Sequence, residues 1–201
     1  MDYKELTGVH VEGHIHIHDP VEKITYVNKR NAIHYENMSI ALAQSLSNSS
    51  QGYIHKMAFG NGGTTVDPTG IITYLTPNSS GANASLYNQT YSKVVDESPT
   101  NVDPTRNFIE TRHVTGTNYT DIFVTCLLDY GEPSGQDAYD TTNNSDGSYV
   151  FDELGLQSYS SSGTGLLLTH VVFHPVQKSL NRLIQIDYTV RIQTLTGLVG
   201  V

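Results

Sequence analysis

Between Val9 and His18 apolar and polar residues alternate without a break, with Val9, Val11, Ile15 and Ile17 on one side and His10, Glu12, His14, His16 and His18 on the other. A period of two is the mark of a strand with one buried face. Asp19-Pro20 interrupts the run and Ile24–Val27 resumes it, which predicts a His-rich hairpin over residues 1–30. The period then changes. From Tyr35 to Leu46 the larger apolar residues Met38, Leu42 and Leu46 recur every four positions, with Ala41 and Ala43 beside them, so one short helix lying on a sheet is expected. Further strands are expected at Tyr53–Phe59, Gly70–Leu75, Ser85–Val95, Phe108–Val114, Tyr119–Asp129, Tyr149–Leu156, Gly165–His174 and Leu183–Thr194. In the last of these Ile184, Ile186, Tyr188, Val190 and Ile192 face inward. The pattern predicts an all-β fold, an antiparallel β-sandwich with one short α-helix near the N-terminal third. Neither an internal repeat nor a linker divides the chain, so residues 1–201 are expected to form a single domain, with the polar stretches 76–107 and 131–148 as extended loops or arms.

Composition narrows the possibilities. Hydrophobic residues make up 37% and charged residues 15%, and Ser, Thr, Asn, Gln and Tyr fill the gap. That mixture suits strands and long loops and argues against a coiled coil or helical bundle. The net charge is −9, and no Lys or Arg lies between Arg112 and Lys178, where eight acidic residues fall. The eleven basic residues are scattered singly, so nucleic acid is excluded as a partner. Nowhere do eighteen apolar residues run together, and Met1 to Leu6 lacks the apolar stretch of an export signal, so no membrane partner is expected. Cys126 stands alone inside an apolar run and reads as a small core residue.

Candidate chemistry is sparse. His14, His16 and His18 project from one face of a strand, and His-x-His pairs chelate transition metals, although no Asp or Glu is obviously placed to orient the imidazoles from behind. The alternative is a polar outer face that happens to be rich in His. Asn144, Asp146 and Glu153, with Gly147 between, match the later positions of a calcium loop, but Thr142 stands where the first Asp belongs and a strand follows where a helix should. Catalytic patterns fail on particular residues. Thr65 replaces the third glycine of a dinucleotide loop in Gly60–Thr65, no nucleophile elbow exists, and Asp152 and Glu153, being adjacent on a strand, are expected on opposite faces. His170 and His174 read as satisfied core or edge histidines. The chain is therefore expected to be no enzyme and to need no cofactor beyond a transition metal at the His strand.

Three stretches in this chain carry a resemblance: Glu153-Leu-Gly-Leu156, the run Leu166–Ser179 containing Phe173-His-Pro-Val-Gln-Lys-Ser179, and Leu183–Ile192. Together with Ala58-Phe-Gly-Asn-Gly62 they resemble structural proteins of tailed bacteriophages, over about Asn31 to Ile192. The resemblance implies a virion subunit of the neck, tail, baseplate or fibre-attachment region, built in the host bacterial cytoplasm as a symmetric homo-oligomer with copies of itself and other virion proteins as partners. It also implies that Phe173, Pro175, Lys178 and Ser179 form a connector between the last two strands; within it Lys178 reads either as pairing a carboxylate such as Glu153 or as a solvated turn lysine. Open strand edges and polar arms suit a subunit covered by its neighbours. Two other readings stand beside it: a host-surface or glycan-binding module using Tyr130, Tyr139 and Tyr149, and a metal-bridged fibre segment centred on the His-x-His strand.

Overall fold

The structure, a computed structural model, describes residues 3–81, 84–95, 107–133 and 148–200. Its elements run β1 (Tyr3–His18), β2 (Thr25–Ile33), α1 (Tyr35–Leu46), β3 (Ile54–Gly60), β4 (Thr64–Val66), β5 (Ile72–Tyr74), β6 (Gln89–Val94), β7 (Phe108–His113), β8 (Tyr119–Leu128), β9 (Ser148–Ser158), β10 (Thr169–Ser179) and β11 (Ile184–Gly200). Nine strands form one antiparallel sheet in the order β6-β3-β9-β10-β2-β1-β11-β8-β7, and β4 pairs β5 separately. The sheet curls until its wings face each other. Met57, Phe59, Leu154 and Leu156 from one wing share a single buried cluster with Val124, Cys126, Leu128, Ile186 and Tyr188 from the other. Across the far opening, the ammonium of Lys93 on edge strand β6 donates to the Leu127 carbonyl of β8 at 2.7 Å. Slips in register between Ile17 and His18, Phe59 and Gly60, and Val172 and Val176 supply the bends that such curling needs. The expected sandwich-like all-β architecture is what the chain adopts.

Alternation placed the central strands well. Ile15 and Ile17 of β1 are buried, while His16 and His18 on the other face are half-buried and His14 is exposed. The hairpin of β1 and β2 turns at Asp19, whose Oδ1 accepts from the amides of Val21 and Glu22 at 2.8 Å each. Helix α1 spans the expected residues, but its buried face is Asn37, Met38 and Ala41, and Leu46 at its end stands in solvent. Met38 and Ala41 pack on Ile33 and Leu168, outside the main core. Among the described residues no helix is long and apolar enough to cross a membrane.

Two expectations need correction, and one strand is an addition. The Phe173–Ser179 segment is no connector, because β10 runs through it to Ser179 and the turn to β11 follows. Pro175 fits there because the strand bulges between Val172 and Val176, where no ladder bond asks for its missing N–H. The stretch 76–107 is not one continuous arm, since the strand expected within it at Ser85–Val95 forms: β6 pairs with β3, and Leu86 and Val95 are buried. The short strand β4 was not expected. Residues 134–147, most of the second expected arm, lie outside the described residues.

Candidate functional site

On the outer face, each His of β1 meets a cross-strand partner on β11. His14 stands opposite Thr189, His16 opposite Asp187 and His18 opposite Gln185. Residues directly opposite in an antiparallel pair have Cβ atoms about 4.5–5.5 Å apart, so the carboxylate of Asp187 comes within reach of both imidazoles. His18 Nε2 and Asp187 Oδ2 are 2.9 Å apart. The rings of His16 and His18 stack, with centroids 4.5 Å apart and planes 12° from parallel. His16 Nε2 lies 3.1 Å from the Thr25 hydroxyl on β2. The other oxygen of Asp187 accepts from Thr125 Oγ1 at 3.1 Å and from Gln185 Nε2 at 2.9 Å. One ligand atom from each of His16, His18 and Asp187 lies within 4.8 Å of the others. Burial, and then the neighbouring His18, hold the His16 pKa below its ordinary value, with Asp187 opposing part of the effect.

The expected trio of His14, His16 and His18 is thus partly redrawn. His14 lines a separate shallow pocket with Glu12, Arg30 and Arg191. Asp187 takes its place. It was legible as an outward polar position on the last strand, but nothing in the linear sequence pairs β11 with β1.

The second acidic constellation is buried and structural. Phe151 and Leu154, three residues apart, both enter the core, so the alternation of β9 slips between them. Asp152 and Glu153 therefore do not diverge to opposite faces, and both reach the Gly62–Thr64 segment. Asp152 accepts from the amides of Gly63 at 2.8 Å and Thr64 at 2.9 Å, and from the Thr64 hydroxyl. Glu153 Oε1 accepts from Gly62 N at 3.1 Å and Asn88 N at 2.8 Å; Oε2 accepts from Tyr87 N and His170 Nε2, each at 2.9 Å. The Asn78 amide donates to His170 Nδ1 at 2.8 Å, which places the ring proton on Nε2, facing Glu153. Burial opposes the charge on Glu153, but the bonds from His170 and the three amides outweigh it and hold the carboxyl below its usual range.

This network removes Glu153 from any calcium site, because both its oxygens are already held by protein donors and neither touches solvent. Asn144 and Asp146 lie outside the described residues. Lys178 does not pair with Glu153 either. Its ammonium is fully buried and donates to the carbonyls of Asp129 at 3.0 Å and Ser179 at 2.8 Å. Phe173 is a core residue and Pro175 is half-buried. His170 is the satisfied core histidine that the sequence suggested, and His174 is exposed, with Nδ1 3.2 Å from the Tyr74 hydroxyl. Of the tyrosines considered for sugar binding, Tyr149 is buried, Tyr130 is exposed, and Tyr139 lies outside the described residues.

An apolar cleft of about 420 Å³ opens between α1 and the β7–β8 wing, lined by Met38, Leu42, Ile54, Ile109, Ile122 and Ile192. The chain matches no protein-family model, no curated protein and no solved structure.

Proposed function

We propose that the chain is a non-enzymatic structural subunit of a tailed-bacteriophage particle, joining copies of itself in a symmetric ring or trimer. The observation that carries assembly is the ribbon formed by the distal halves of β1 and β11. β2 pairs with β1 only from Gly13 onward, and β8 pairs with β11 only as far as Gln193. Beyond them, Tyr3–Gly8 and Leu195–Gly200 continue as a two-stranded ladder with no third strand on either side among the described residues. A two-stranded ribbon alone is marginally stable in water, and its outer backbone groups are a template for another strand. A neighbouring subunit supplies what it lacks. The outer edges of β6 and β7, unpaired among the described residues, add open backbone of the same kind, and the cleft beside α1 adds apolar surface. The phage assignment is supported by the sequence resemblance, whose Ala58–Gly62 stretch leads into a turn with the Gly62 amide held by Glu153 and the Gly63 amide by Asp152.

Native mass spectrometry of the full chain at tens of micromolar tests assembly, and immunogold labelling of particles from the encoding phage tests location. The expected results are a discrete closed oligomer and label at one site on the particle. A monomer that never incorporates into particles overturns the reading.

A further inference from the structure

We propose that His16, His18 and Asp187 form a zinc-type divalent metal site on the outer face of the sheet, with two imidazole nitrogens and one carboxylate oxygen as ligands. This inference stands independently of the assembly reading.

The donor set comes first. Two imidazoles and one carboxylate, leaving a further coordination position open, suit zinc and its neighbours among the divalent transition metals. The spacing suits them too. Donors about 2.0–2.1 Å from a tetrahedral ion are roughly 3.3 Å from one another. The 2.9 Å contact between His18 Nε2 and Asp187 Oδ2 needs to open by only a few tenths of an ångström. The remaining separations lie within 4.8 Å, and the two stacked imidazoles must turn out of parallel for both lone pairs to meet one ion.

Support for the ligands is also present. Asp187 Oδ1 is anchored by Thr125 and Gln185, which aims Oδ2 at His18, and such outer partners commonly orient metal ligands. All three ligands stand on central strands of the sheet, so the backbone beneath the site is fixed by ladders on both sides. The three side chains are half-buried, which leaves an ion room to enter. His14 is set apart by position: it stands opposite Thr189, in a pocket it shares with Glu12, Arg30 and Arg191. A continuous three-histidine chelate along β1 is therefore not what the fold builds.

Cobalt(II) serves as the spectroscopic probe and zinc(II) as its competitor. Titrating the metal-free full chain with cobalt is expected to give one ion per chain, with the visible absorption of a four-coordinate site that zinc abolishes. His18→Ala and Asp187→Asn are each expected to weaken cobalt binding at least tenfold. His14→Ala is expected to change it less than threefold. Far-UV circular dichroism confirms that each variant keeps its sheet. Three results would overturn the proposal: no saturable binding at one ion per chain, affinity unchanged in Asp187→Asn, or affinity lost in His14→Ala. The last two would reduce the site to generic chelation by neighbouring histidines.

Discussion

Glu153 is an anion without solvent, and its four donors explain why it persists there. Glu153→Gln turns one acceptor oxygen into a donor NH2 facing amides or an imidazole N–H that also donate. Breaking such a buried charged network is expected to cost about 3–5 kcal/mol, measurable by urea denaturation at pH 7. Lys178 is the opposite case. Burial pushes its pKa from 10.5 down to about 8, although Glu132 and Asp129 offset part of that. Between those values the unfolded chain holds a proton that the folded chain has released, so stability rises with pH. Burial drives the Cys126 thiol the other way, from 9.0 up to about 12, and there the folded chain keeps the proton longer, so stability falls. The urea midpoint is therefore expected to climb from pH 8 to 9, to level off until about pH 10, and to fall above that, where Cys126 and the buried phenols of Tyr91 and Tyr188 keep protons that the unfolded chain gives up. Lys178→Met is expected to erase the climb; a midpoint that still rises in the variant would assign the effect to another group.

The elements differ in how plainly the sequence announced them. α1 and the inner parts of β1 and β11 lie where a four-residue period and strict alternation put them, because each has one wet face and one dry face, whereas β1 begins at Tyr3 and β11 runs to Gly200, beyond the expected Val9 and Thr194. β9 falls on the expected Tyr149–Leu156, but it is buried over nearly its whole length and the facing of Asp152 and Glu153 was missed; β10 was harder, because Pro175 disguised its continuation beyond a bulge. The candidate metal ligands were half legible. His16 and His18 follow from the period of β1, whereas Asp187 follows only from the pairing of strands some 170 positions apart, which no local signal encodes. Crowding on β9 gives a test at this scale. A Cβ at Gly155 would lie 2.2 Å from the Thr169 carbonyl oxygen of the neighbouring strand. Gly155→Ala is expected to destabilise the protein by about 1–3 kcal/mol in urea titration, because the neighbour is backbone and has little room to yield. Removing residues 1–8 leaves every β1–β2 pair in place. That truncation is expected to keep the sheet by circular dichroism and to shift the oligomer toward monomer by light scattering.

At the scale of the whole molecule, one core serves both wings of the sheet, and most of its contacts join residues distant in sequence. Folds dominated by such contacts form slowly, because long loops must close before any contact repays them. The β1–β11 ladder sharpens the point. β1 sits near the middle of the nine-stranded order, yet one of its two neighbours, β11, lies more than 160 residues further along the chain. During synthesis on the ribosome, the hairpin of β1 and β2 must wait with one flank bare until Ile184 and the residues after it emerge. The half-built sheet offers other nascent copies the same backbone groups that β11 will later cover, so crowding on a polysome sets a race between self-completion and premature cross-pairing.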